Sequence, residues 1–250
     1  MWTLDSSASV PAWKAVDAAS DLRLAFSTRR GGVSDPPFDS LNLGRSTADS
    51  PDAVAENRLR FLSSLGLPET SVATAGQVHG ANIARVAASG HHPACDALVT
   101  RARDVALAVT TADCLPLLYV APHAVGAAHS CWRGTAAGMP RAALTAVCEA
   151  SDVSAAGVRV HLGPCIRVCC YEVGADVARQ FPASVSTRRG DAWRLDLVAA
   201  ARLQLLEAGV PEAALEDVGA CTSCDADWYY SHRRDAGPTG RHWAIVARCT

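Results

Sequence analysis

Three short segments place a metal-capable side chain among small or turn-forming neighbours: Gln77-Val78-His79-Gly80, Ala112-Asp113-Cys114-Leu115 and Ala127-Ala128-His129-Ser130. Each lies at or just beyond an apolar run, where loops present side chains to a cleft. His79, Cys114 and His129 are separated by 35 and then 15 positions. Those gaps match no short finger motif, so the fold must assemble any shared site. Two imidazoles and one thiolate are three protein donors, a set that suits zinc with a fourth position open to water or substrate. Zinc would hold Cys114 as the thiolate and lower the pKa of its water towards about 7. Taken singly, each residue has a plainer role. A lone cysteine on an apolar strand packs, and a lone histidine is a satisfied polar group.

The remaining cysteines offer a second metal candidate, Cys221-Thr222-Ser223-Cys224. A structural zinc site takes two such pairs, whereas Cys169 and Cys170 are adjacent and Cys165 follows a proline. Ordinary reduced cysteines are therefore the expectation here. Arginines near turns are the candidate anion binders: Arg29 entering a glycine turn, Arg133 soon after His129, Arg233 and Arg234, and Arg241.

The elements that must position these residues alternate between strands and helices. Ser50 and Pro51 start a helix that runs to about Leu65, with Gly66 to close it. Val105 to Thr110, Leu117 to Val120, Val125 to Ala128, Val158 to His161 and His242 to Ala247 read as strands. Gly134 to Glu149 reads as one helix that Pro140 bends or delays. Asp196 caps an amphipathic helix with Leu197, Ala201, Leu205 and Ala208 on one face. Mixed elements of this kind predict an α/β or α+β fold. No repeat or low-complexity linker divides residues 1–250, so one domain is expected.

Composition narrows the class. The chain has 250 residues, 49% hydrophobic and 19% charged, with a formal charge of −2; this excludes disorder and argues against a nucleic-acid partner. No stretch reaches the roughly 20 apolar residues of a membrane span. The N-terminal segment lacks a basic region followed by an apolar run, so a cytoplasmic protein is expected, with its 10 cysteines mostly reduced. Lys14 is the only lysine, so 22 of the 23 basic residues are arginine. A GC-rich genome explains most of that excess.

Further motifs appear in order: Phe26-Ser27-Thr28-Arg29 with Gly31-Gly32-Val33-Ser34, Asn42-Leu43-Gly44, Gln77-Val78-His79-Gly80 and Asp96-Ala97-Leu98-Val99-Thr100. Thr111-Ala112-Asp113-Cys114-Leu115-Pro116, His129 with Trp132-Arg133-Gly134, Gly163-Pro164-Cys165-Ile166 and Tyr171-Glu172-Val173-Gly174 follow. Cys221-Thr222, Ser231 with Arg233-Arg234, and Thr239-Gly240-Arg241 complete the series. From about Leu24 to Ala247 the chain resembles the family once called multicopper polyphenol oxidases or laccase-domain proteins, now described as purine nucleoside phosphorylases with one zinc site. The resemblance implies a single α/β domain of layered mixed β-sheets flanked by helices, related distantly to deamidase toxins of the cytotoxic necrotizing factor type. It puts the metal ligands on His79, Cys114 and His129, with one zinc per chain and copper as a possible substitute. It also implies phosphorolysis of adenosine, inosine and methylthioadenosine, and deamination of adenosine. The partners expected are a purine nucleoside and phosphate, with no nucleic acid or membrane, in a monomer or homodimer. One departure stands out: Cys131 occupies the place of the family's usual glycine, two residues from a ligand.

Within that reading, deamination needs attack at C6 of adenine and a proton for the leaving amine, for which Asp113 and Glu172 are the carboxylates to test. Phosphorolysis needs a phosphate oriented through paired hydrogen bonds, for which Arg29 and Arg133 are the candidates. Asn42 and Arg234 are further substrate-binding candidates within the shared motifs. Two other classes remain open. One is a metal-free thiol hydrolase or amidase-like enzyme acting on a peptidoglycan precursor, with Cys114 as nucleophile and His79 or His129 as base. The other is a copper-dependent polyphenol oxidase, for which the eight histidines lack the clustered motifs that multicopper electron transfer requires.

Overall fold

The strand His242–Arg248 shows how the apolar runs are used. Successive side chains on a strand point to opposite faces. Ala244 and Val246 enter one buried cluster with Leu24, Phe26, Leu107, Val109 and Leu118. Trp243, Ile245 and Ala247 enter another with Leu41, Phe61, Leu62, Ala106 and Ala108. Both faces are covered, so the run is apolar at every position rather than at alternate ones. The strand Leu115–Val120 behaves alike: Leu115, Leu117 and Tyr119 face one way and Leu118 the other.

The computed structural model describes residues 1–16 and 18–250. Its largest sheet has seven strands, in the order Trp2–Leu4, Ala12–Ala15, Leu22–Ser27, His242–Arg248, Ala106–Thr111, Val72–Ala75, Gly90–His92. A six-stranded sheet runs Leu215–Asp217, Arg159–Leu162, Leu115–Val120, Val125–Ser130, Ala97–Thr100, Ile83–Arg85. Both sheets mix parallel and antiparallel pairs. They share the apolar cluster that contains Phe26, Leu98, Leu107 and Leu118. The helix Pro51–Ser63 covers the outer face of the first sheet, and the helices Met139–Ser151 and Leu197–Glu207 cover that of the second. The result is the layered α/β fold that the motif series implies. A small three-stranded sheet, Glu172–Val173, Ala192–Leu195 and Ser186–Arg189, packs beside these layers.

One expected element divides. The stretch read as a helix from Gly134 to Glu149 is two helices, Trp132–Ala136 and Met139–Ser151. Gly138 separates them at φ +87°, a backbone state that glycine adopts without strain. Pro140 lies in the first turn of the second helix, where its missing N–H is harmless. None of the helices among the described residues is long and apolar enough to cross a membrane.

Candidate active site

His129 is the penultimate residue of Val125–Ser130, and Cys114 immediately precedes the neighbouring antiparallel strand, where Pro116 stands opposite His129. Sheet register therefore brings these two together. His79 arrives from a separate loop. There the side-chain amide of Gln77 pairs with the backbone of Thr110, donating to its carbonyl at 2.5 Å and accepting its N–H at 2.7 Å. Gln77 so extends the ladder of Ala106–Thr111 by one rung and fixes the turn that carries His79. The backbone is strained here: Gln77, His79 and Asp113 have φ of 60°, 63° and 92°. Non-glycine residues held at positive φ cluster at functional sites.

Asp96 orients the group. Its Oδ1 lies 3.0 Å from His129 Nδ1, and its two oxygens accept the backbone N–H groups of His79 and Gly80 at 2.9 and 2.8 Å. Burial raises the Asp96 carboxyl, but His129 and these N–H groups outweigh it and hold the pKa below the usual carboxylate value. With Nδ1 engaged, His129 has Nε2 free as a donor atom, the arrangement seen when a carboxylate supports a metal-binding histidine. The His79 and His129 rings meet edge to face with centroids 5.1 Å apart. Desolvation first, then the neighbouring His129, lowers the pKa of His79. That favours the neutral imidazole a metal requires.

His79, Cys114 and His129 line one cleft of about 830 Å³ with Arg45, Arg58 and Arg241. Its size suits a drug- or nucleoside-sized ligand. The donor chemistry fits zinc, although the three donors are not drawn together as tightly as a second group. Among the described residues, only Cys169, Cys170, Cys221 and Cys224 form a set of at least three donors all within 4.8 Å of one another. The adjacency of Cys169 and Cys170 argued against such a set in the sequence; the fold supplies it. Cys131 is buried. Its sulfur caps Trp132–Ala136 by accepting the Gly134 N–H at 3.3 Å and lies 3.7 Å from the His79 carbonyl.

The other candidates lie at varied distances from this cleft. Asp113 is next to Cys114, but its carboxylate accepts Thr222 Oγ1 at 2.6 Å and the Arg233 N–H at 2.7 Å. Glu172 pairs with Arg194 at 3.3 Å and does not line the cleft. Arg29 borders a different recess, where it pairs with Asp39 at 3.1 Å and donates to the carbonyls of Asp39 and Ala226. Arg133 stacks over Trp132 at 4.5 Å. Asn42 is buried, with its amide bonded to Thr47 and Asp49 and its carbonyl to the N–H groups of Gly44 and Arg241. Arg234 is tied to Asp235, Thr222 and Tyr229. Sequence reasoning passed over Asp96 as an orienting group and Arg45 and Arg58 as lining cations. The Asn42-to-Gly44 motif, just before Arg45, was the available signal.

Comparison with known proteins identifies relatives over most of the chain. "Purine nucleoside phosphorylase YlmD" of Geobacillus stearothermophilus is 37% identical over 243 residues, 89% of each chain. A "Purine nucleoside phosphorylase" of Deinococcus radiodurans is 43% identical over 231 residues, covering 89% of this chain and 87% of that one. The crystal structure of YlmD from Geobacillus stearothermophilus superposes with a TM-score of 0.86 at 34% identity, over 92% of this chain and 93% of that one. Residues 23–249 match the family model described as multi-copper polyphenol oxidoreductase laccase, and the chain belongs to that family.

Proposed function

We propose that the chain is a purine nucleoside phosphorylase acting on adenosine, inosine and methylthioadenosine, with adenosine deamination as a second activity and zinc held by His79, Cys114 and His129. The observation that carries this reading is the cleft itself. Three soft or borderline donors and three arginines line it, and among the described residues no carboxylate does. Such a surface favours an anionic co-substrate. In phosphorolysis a phosphate oxygen forms a bond to C1′ while the C1′–N9 bond breaks and the electron pair leaves with the purine. In this reading Arg241 and Arg45, the latter within 4.0 Å of Glu69, bind and orient the phosphate. Arg58 is less available, since it donates twice to the Leu43 carbonyl and stacks on Trp243. His91 and His232 line the same cleft, and an imidazole at either position would be the group to give the departing base its proton at N7. Zinc, when bound, would supply Lewis-acid polarisation.

Two observations weigh against the other classes. Desolvation raises the Cys114 thiol above its ordinary pKa, against the lowering influence of Arg241, which weighs against a metal-free thiol nucleophile. Four histidines line the cleft, but a multicopper centre needs further histidine clusters, and His161 packs on Trp2 and His242 on Tyr230 instead.

The test is incubation of metal-loaded protein with adenosine, inosine and methylthioadenosine, with and without phosphate. Free base and ribose 1-phosphate (or its methylthio analogue) formed only with phosphate is the expected result. No turnover of any of the three overturns the reading.

A further inference from the structure

Four cysteines far from the cleft donors in sequence converge on one spot. Cys169 and Cys170 follow the strand Arg159–Leu162, and Cys221 and Cys224 belong to the turn after Leu215–Asp217. Their four sulfurs all lie within 4.8 Å of one another. Cys169 Sγ is 3.6 Å from Cys221 Sγ and 3.5 Å from Cys224 Sγ, and Cys170 Sγ is 3.3 Å from Cys224 Sγ. In a tetrahedron with Zn–S bonds of about 2.3 Å the sulfur–sulfur edges are about 3.8 Å. All four are free thiols, and a bonded pair would sit at about 2.05 Å. The spacing is therefore that of four ligands around a common centre.

The backbone supports the same reading. Cys165 and Cys221 form a parallel bridge, with Thr222 N–H donating to the Cys165 carbonyl at 3.0 Å, so the two segments are held in fixed register. The Arg167 N–H donates to Cys221 Sγ at 3.5 Å, the kind of bond that orients thiolate ligands. Arg167 also donates to the Ala220 carbonyl and Arg194 to the Cys169 carbonyl, which brings two guanidinium groups beside the thiolates.

We propose that Cys169, Cys170, Cys221 and Cys224 form a second metal site, a closed tetrathiolate centre for zinc. Four protein ligands leave no open position, so the role is structural. Binding releases the thiol protons and forms four Zn–S bonds without change of oxidation state. The centre joins two segments that both grip Asp113: Thr222 donates to its carboxylate and the Ile166 N–H to its carbonyl. It thereby braces the turn that presents Cys114. Cys169 and Cys224 are exposed, so a chelator can reach the ion.

The experiment measures zinc in protein purified without added metal, comparing wild type, Cys114→Ser and the double variant Cys221→Ser/Cys224→Ser. The double variant is expected to contain one equivalent less than wild type. Cys114→Ser is expected to keep the tetrathiolate equivalent, which separates this site from the cleft. Cobalt reconstitution of Cys114→Ser is expected to give sulfur-to-cobalt charge-transfer bands and the intense visible absorption of a tetrahedral thiolate complex, and this readout stands even where the double variant does not fold. Equal zinc in wild type and double variant, no such cobalt spectrum, or disulfides among the four cysteines in freshly purified protein would each overturn the proposal.

Discussion

Asp96 and His129 form a buried carboxylate–imidazole pair, 3.0 Å apart, with the aspartate fully enclosed and the histidine 2% exposed. The same carboxylate holds the backbone of the His79 turn, so one side chain aligns two of the three cleft donors. Loss of such an orienting group costs metal affinity by about 10- to 100-fold. Asp96→Asn, which keeps the shape and removes the charge, is expected to weaken zinc binding by that factor in a competition titration against a chromophoric chelator. Unchanged affinity would show that Asp96 only stabilises the turn.

Arg241 and Arg29 are the pair that separates cleft chemistry from structural support. Arg241 lines the cleft, with one guanidinium nitrogen anchored on the carbonyls of Thr239 and Gly240. A hydrogen bond to a charged group contributes about 1.5–3 kcal/mol. Arg241→Gln is therefore expected to raise the KM for phosphate by about tenfold to a hundredfold and to change the KM for nucleoside much less. Arg29→Gln is expected to leave the phosphate KM unchanged while lowering the melting temperature, because it severs the Asp39 pair and the stack on Tyr230. Steady-state kinetics at varied phosphate checks both, and the reverse pattern would return phosphate binding to Arg29.

What was legible in the sequence follows from which forces act locally. The run around Leu117 announces a strand because both of its faces are buried. Ser50 and Asp196 announce helix starts because their side chains accept the N–H groups of Ala53 and Ala199 within one turn. His79, Cys114 and His129 could be grouped from donor chemistry and the motif series. The cysteine quartet could not. Its members meet only because Arg159–Leu162 and Leu215–Asp217 pair in parallel, a contact between segments more than fifty residues apart. The surroundings of Arg29 were hidden for the same reason: its glycine turn resembles an anion site, but carbonyls distant in sequence, at Ala226 and Trp228, accept its N–H groups.

His242 gives the fold an acid-sensitive element. Its Nε2 accepts the Tyr230 N–H at 2.9 Å, and burial pushes its pKa down to about 3 from an unfolded value near 6.5. Below pH 6.5 the unfolded chain takes up a proton that the folded chain refuses. The stability contribution is thus complete above about pH 6.5 and is lost as pH falls towards 3. By pH 5 the loss is about 2 kcal/mol. Burial also lowers His161, to about 4, which adds to the trend in the same direction. Urea midpoints at pH 7 and pH 5 are expected to fall for wild type, and to fall less for His242→Gln, whose amide oxygen can accept the Tyr230 N–H without titrating. Equal falls in both proteins would place the acid sensitivity elsewhere.

Cys131 tests whether the position two residues after His129 serves the metal or the helix. A Cβ at Gly134 would sit 2.7 Å from the Gly80 carbonyl oxygen, so Trp132–Ala136 lies directly against the His79 turn, and Cys131 bonds across that same contact. Removing its buried side chain loses a helix cap, a weak bond to the His79 carbonyl and some packing. Together these amount to about 1–2 kcal/mol. Cys131→Gly is expected to lower the unfolding free energy by that amount with zinc content unchanged, and Cys131→Ser, which retains a cap, to recover part of it. The sulfur is already committed to Gly134 and His79, which is why neither change should release metal. Zinc loss in both variants would make Cys131 a ligand and shift the donor set away from the two histidines and Cys114.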